Sequence, residues 1–263
     1  MIIGRASTHL GYTSVFLSSK LVITSPLQLP NLNMWWDASI PANFSPSNIK
    51  TGQNITQWSD SSGKANNLAG GQSKPNYYTG STTNPYKIGV VQFTPNDDFT
   101  SGTISAIAGV PGITMFVVSQ FTGSTNGTSQ TVTNTQFNDM NLSISGTTSR
   151  YIIGMAGGIG TDSGSTVDNN FHIHTIGYDG SQPSNATKLT YRRDSIQSTL
   201  DFGATTVGTT TNSSDNTLFV GSTFVGPTNY MTGFIAEIIV CTQSLTTTQV
   251  QATETYLKTK WGL

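Results

Sequence analysis

Short runs of apolar or alternating residues recur along the chain at positions 15–23, 34–37, 88–93, 113–121, 151–155, 171–178, 188–196, 217–221 and 234–241. Clusters of Gly, Asn, Ser, Thr and Pro separate them. Such spacing predicts an all-β protein, an antiparallel sandwich or barrel of short strands. Asn126-Gly127 and Asp179-Gly180 are good hairpin-turn dipeptides. Residues 203–215 read as loop, or as an edge strand followed by loop. Pro26-Leu27-Gln28-Leu29-Pro30 reads as a hinge between residues 1–30 and a more regular body. Helical spacing is almost absent until the end of the chain. There Thr246 and Gln249 fit a capping box, and Val250, Leu257 and Trp261, with Tyr256 beside them, form one apolar stripe. Lys258 and Lys260 suit the last turn of this single C-terminal helix, and Gly262 suits its stop.

Composition sharpens this picture. Of 263 residues, 42 are Thr and 31 are Ser, which fits the wet faces and long loops of a sandwich. Only 10% are charged, and 12 Lys+Arg against 13 Asp+Glu leave a net charge of -1. No basic groove for nucleic acid can be built from that balance. With 35% hydrophobic residues the chain can fill a core, which argues against charge-driven disorder. The lone Cys241 excludes an internal disulfide framework. Residues 1–5 lack the apolar stretch of a signal peptide, and no run approaches the about 20 residues of a membrane span. The expectation is a soluble protein made in the host cytoplasm.

Three stretches carry a resemblance. Met34-Trp35-Trp36-Asp37-Ala38-Ser39 is followed by a Trp-x-Asp-x-Ser-Gly type loop running from Gln57 to Asn67. Val90-Val91-Gln92-Phe93 leads to Asp97-Asp98-Phe99. Gly233-Phe234-Ile235-Ala236-Glu237-Ile238-Ile239-Val240 continues through Leu245 to Tyr256 and the terminal Trp261-Gly262-Leu263. In order and spacing these resemble the laminin-G-like branch of the concanavalin A-like lectin/glucanase superfamily. The resemblance covers residues 34–263 and implies a two-sheet antiparallel jelly-roll sandwich that binds glycans or protein surfaces. Domains of this kind also occur in phage and bacterial surface proteins. Residues 1–33 have no counterpart and form an N-terminal arm, able to add strands to a partner or to fold back on its own sandwich.

Candidate chemistry is sparse. Glycoside hydrolysis needs paired carboxylates, and the family's hydrolases carry Glu-x-Asp-x-Glu on one strand. Here the only glutamates are Glu237 and Glu254, with no such triplet. The family implies that Glu237 is a hydrogen-bonded structural carboxylate, and that Trp58 and Asp60 belong to a structural loop. His172 and His174 share a strand face, expected to be the solvated one. Arg192-Arg193-Asp194 reads as a solvated turn near a strand end. The six Asn-x-Ser/Thr sequons are what this much Asn, Ser and Thr yields by chance. The densest aromatic and amide loop, Asn76-Tyr77-Tyr78 with Tyr86, is the candidate glycan or interface site. No organic cofactor is expected. Asp97, Asp98 and Asp168 are calcium candidates that read equally as turn residues.

The resulting expectation is a non-enzymatic structural or interaction protein on the virion surface: a phage capsid decoration, head fibre or adhesin component. Residues 1–33 would anchor it to capsid or other virion proteins, with cell-surface glycans and further copies of the chain as other partners. The alternative is a freestanding carbohydrate-binding module of a bacterial surface protein.

Overall fold

The computed structural model describes residues 21–71, 73–80, 82–83, 85–122, 130–135, 139–214, 216–223 and 229–263. Two antiparallel sheets face each other. Among the described residues the first has eight strands, in the order Ile196–Ser198, Leu189–Arg193, His172–Asp179, Gly112–Phe121, Gly233–Cys241, Val90–Phe93 and Asn76–Tyr78, with Leu32–Asp37 paired to the second half of Gly233–Cys241. The second has ten: Leu200–Asp201, Gly158–Thr166, Arg150–Met155, Asn141–Ile144, Gln130–Thr135, Leu218–Val220, Phe99–Ser101, Leu68–Gly70, Gln57–Trp58 and Phe44–Ser45.

Alternation along the strands builds two cores from the first sheet. Met115, Val117, Ile238 and Val240 point between the sheets, where they meet Trp36, Trp58, Phe99, Phe121 and Tyr151. Their neighbours Phe116, Val118, Ile239 and Cys241 point outward, where Ala252, Leu257 and Trp261 of the helix Thr247–Trp261 cover them. A strand buried on both faces must be apolar at nearly every position, which is why these two runs are the most continuous in the sequence. The register of Gly233–Cys241 against its neighbour shifts between Ile235 and Glu237. This bulge puts both Ala236 and Glu237 on the helix side. The helix is capped as its sequence predicts: Thr246 Oγ1 accepts from the Gln249 N–H at 3.3 Å, and Gly262 ends it at φ 70°. Among the described residues no helix is long and apolar enough to cross a membrane.

Three expectations change here. The segment 26–30 is a capped turn: Ser25 and Gln28 bond reciprocally around Pro26–Gln28, and Ile23, Leu29 and Leu32 are buried in the helix-side core. The body therefore starts before residue 34, and Ile23, Leu29 and Leu32 follow one of the two alternatives for the arm, packing on its own sandwich. Residues 1–20 of the arm lie outside the described residues, as does the Asn126-Gly127 turn. Asp179-Gly180 does not make a two-residue hairpin, because Asp179 bonds Ser181 and Gln182 and a single helical turn, Asn185–Lys188, intervenes. The tight hairpin is the next one, where Asp194 at φ 52° and Ser195 at φ 74° join Leu189–Arg193 to Ile196–Ser198.

Candidate ligand-binding site

Alternation splits the predicted aromatic loop. Tyr77 points inward, 3% exposed, with its ring 5.2 Å from Phe44. Asn76 and Tyr78 point to the outer face, and Asn76 lies opposite Gln92 in register. The structure brings Tyr78 and Tyr86 together, 5.7 Å apart and edge to face. It adds two rings that the sequence reading missed. Phe234 lies 5.7 Å from Tyr78 and 5.1 Å from Tyr86, and Phe171 lies 5.3 Å from Tyr86. All four rings are half-buried at the edge of the helix-side core. The Tyr86 hydroxyl donates to Gln120 Oε1, and Gln120 Nε2 donates to the Asn169 carbonyl. Burial raises the Tyr86 pKa, a shift that the Gln120 bond opposes. The result is an uncharged aromatic platform beside the amides of Asn76, Gln92 and Gln120.

The calcium candidates are each held by their own surroundings. Asp97 Oδ2 accepts from the Thr94 N–H and Oγ1, both at 2.7 Å. Asp98 Oδ2 accepts from Ser222 Oγ at 3.3 Å, and burial raises its pKa. Asp168 Oδ1 accepts from the Asn170 N–H and meets His172 Nε2, each at 2.8 Å. No trio of His, Cys, Asp or Glu placed to hold a metal occurs among the described residues.

His172 and His174 do share a face, but it is the interior one, in phase with Ile176 and Tyr178. His174 is fully buried and stacked on Tyr191, 2.8 Å from its hydroxyl, and burial lowers its pKa to about 3. For His172, burial opposes the charge, but bonds to Asp194 and Asp168 outweigh it and raise the pKa. Arg192 is no solvated turn residue either. Its Nε and Nη2 donate to Glu254 Oε1 and Oε2 at 2.8 and 3.1 Å, and Thr175 Oγ1 adds a bond to Oε1 at 2.9 Å.

Glu237 is a hydrogen-bonded buried carboxylate, accepting from Trp35 Nε1 at 2.6 Å, Trp261 Nε1 at 2.7 Å and Lys260 Nζ at 2.8 Å. Both glutamates of the chain thus fasten the C-terminal helix to the first sheet. Asp60 accepts from the Trp35, Ser62 and Asn66 N–H groups at 2.9, 2.8 and 3.0 Å, and beside it Trp58 is fully buried. A concavity of about 300 Å³ lies between the start of the helix and the strands carrying Thr114, Thr175, Thr190 and Arg192.

No family model and no curated protein matches the sequence. Solved structures do match in shape. The binding domain of botulinum neurotoxin DC in complex with SialylT has a TM-score of 0.54 at 9% identity, over 86% of this chain and 51% of that one. The same binding domain in complex with rat synaptotagmin II gives 0.53 at 9% identity, over 86% and 52%. Domain 4 of an extracellular arabinanase from Geobacillus stearothermophilus, in complex with arabinotriose, gives 0.51 at 10% identity, over 84% and 96%. The chain spans about half the length of the toxin domains and nearly all of the arabinanase domain. At this identity the likeness establishes the fold alone. The protein is an all-β, two-sheet antiparallel jelly roll with a C-terminal helix.

Proposed function

We propose that this chain is a non-enzymatic glycan-binding module of the laminin-G-like, concanavalin A-like kind, with Tyr78, Tyr86, Phe171 and Phe234 as its ligand platform. The observation that carries the reading is the cluster of four half-exposed rings flanked by neutral amides. Aromatic faces cover the C–H surfaces of a sugar, and amide side chains both donate to and accept from its hydroxyls. Three neighbours support a carbohydrate ligand by their own descriptions: the arabinotriose complex, the SialylT complex, and a botulinum neurotoxin type C structure concerning interaction with two ganglioside molecules. A virion setting agrees with the hydroxyl-rich, charge-poor composition, and anchoring to capsid proteins would fall to residues 1–20.

A glycan array probed with the native chain and with Phe234→Ala tests the platform. The expected result is a limited set of neutral glycans whose binding falls about tenfold in the variant, the loss of ~1.4 kcal/mol that one stacked ring supplies. A flat array, or unchanged binding by Phe234→Ala, defeats the proposal. Repeating the array with calcium and with a chelator tests Asp97, Asp98 and Asp168. Their existing hydrogen bonds predict no difference.

A further inference from the structure

The polar cluster beneath the C-terminal helix holds more than a salt bridge requires. Lys260 Nζ lies 2.6 Å from Asp37 Oδ2 and 2.8 Å from Glu237 Oε2, while Asp37 and Glu237 are strand neighbours in register. The three side chains are 17%, 3% and 0% exposed in that order. The ammonium sits 4.9, 5.6 and 5.9 Å from the ring centroids of Trp261, Tyr256 and Trp35. Two carboxylates and one cation thus share a site that three aromatic rings help to wall off. Buried opposite charges are costly to desolvate. Joining them covalently removes both.

We propose that Lys260 and Asp37 form an intramolecular amide bond between Nζ and Cγ, with Glu237 as the proton carrier. One ammonium proton passes to Asp37 Oδ2 along the 2.6 Å contact, which leaves a neutral amine beside a neutral acid. The nitrogen lone pair attacks Cγ, and the carbonyl electron pair moves onto Oδ1. That oxygen already accepts from the Ser39 N–H at 2.9 Å and Ser39 Oγ at 2.6 Å, the two donors a developing oxyanion needs. Glu237 Oε2 takes a second proton from nitrogen and delivers it to Oδ2. The Cγ–Oδ2 bond breaks and Oδ2 leaves as water. Ammonium and carboxylate become amide and water, with no oxidant, reductant or net proton required.

Each part of the step has a visible support. Trp35 Nε1 and Trp261 Nε1 fix the Glu237 carboxylate so that Oε2 faces the nitrogen. Burial, then the charge of Asp37, raises its pKa against the pull of Lys260, which suits a group that must take and return a proton. Groups held in such contact react with effective concentrations of about 10⁵–10⁸ M. The bond would tie the first strand of the body to the last turn of the helix. It is independent of the glycan reading and would stand if that reading failed.

Intact-mass spectrometry of the native chain after incubation at neutral pH tests the bond. The expected mass is one water below the sequence mass, and digestion should yield a linked pair of peptides carrying Asp37 and Lys260. Lys260→Arg and Glu237→Gln should stay at their full sequence masses. Ser39→Ala, which keeps all three reacting side chains, should form the bond about 100-fold more slowly. A native chain at full mass, with Asp37 and Lys260 on separate peptides, would overturn the proposal. So would a lost water traced to any other pair of residues.

Discussion

Replacing Glu254 with glutamine removes one half of the clasp that holds the C-terminal helix on the strand face. The Glu254 side chain is 1% exposed and that of Arg192 19%, and they meet through two bonds at 2.8 and 3.1 Å. Breaking a fully buried pair costs roughly 3–5 kcal/mol, and breaking an exposed one less than about 1 kcal/mol. Arg192 lies nearer the buried limit and keeps its bond to the Ser195 carbonyl. Glu254→Gln should therefore cost about 2–3 kcal/mol, or a fall in Tm of roughly 5–10 °C for a domain of this size. Urea unfolding of the native chain, Glu254→Gln, Arg192→Met and the double variant measures both the cost and the coupling. The double variant should lose much less than the sum of the two single losses, with a coupling near ~2 kcal/mol. A coupling below about 0.5 kcal/mol would refute the clasp, because it would place the pair among solvent-screened surface contacts.

Two further outcomes follow from the same contacts. Asp60→Ala leaves the Trp35, Ser62 and Asn66 N–H groups without their acceptor. It should cost about 2–4 kcal/mol in urea unfolding, and a cost under about 1 kcal/mol contradicts the structural role given to that loop. His174, with its folded pKa lowered to about 3, binds fewer protons folded than unfolded across the window from about 6.5 down to about 3. Stability from this group is therefore complete above that window and is lost as pH falls through it, by about 1.4 kcal/mol per pH unit. Burial makes Glu237 act oppositely near neutrality, so the test is a difference between two proteins. The unfolding free energy of the native chain minus that of His174→Phe, measured across this window, should fall as pH falls. Parallel curves would mean that His174 titrates normally in the fold.

The first sheet is largely legible in the sequence, whereas of the second the runs at 151–155 and 217–221 mark only Arg150–Met155 and Leu218–Val220. Strands such as Gly112–Phe121 are packed on both faces and announce themselves as apolar runs. Gln130–Thr135 is equally buried, yet Val132 is its only aliphatic residue. Its hydroxyls bond to backbone instead: Thr133 Oγ1 donates to the Met140 carbonyl and Thr135 Oγ1 to that of Asp139. A strand satisfied in this way carries no hydrophobic signal. Gly158–Thr166, rich in Gly, Ser and Thr, hides for the same compositional reason.

The candidate site was half legible. Counting aromatics along the chain found Tyr78 and Tyr86, but it also gathered Tyr77, which strand alternation sends into the core. Phe171 precedes the strand His172–Asp179 and Phe234 lies in Gly233–Cys241, and they meet at the platform only through the pairing of those strands around Gly112–Phe121. The structural role of Glu237 is legible only through the resemblance. Its position under the helix depends on the bulge at Ala236, and nothing in local alternation foretells that change of phase. The inward face of the histidines is hidden in the sequence because Thr and Gly alternate with Ile and Tyr in that strand, which leaves its polarity ambiguous.

NMR gives the sharpest test of the proposed sugar-binding platform on the outer face of the first sheet. The ring protons of Tyr78, Tyr86, Phe171 and Phe234 are followed while the native chain is titrated with the strongest glycan from the array. Saturable shifts should centre on these rings and be absent in Phe234→Ala. Saturable shifts confined to the threonine-lined concavity by Thr175 and Thr190, with these four rings unmoved, would contradict the platform.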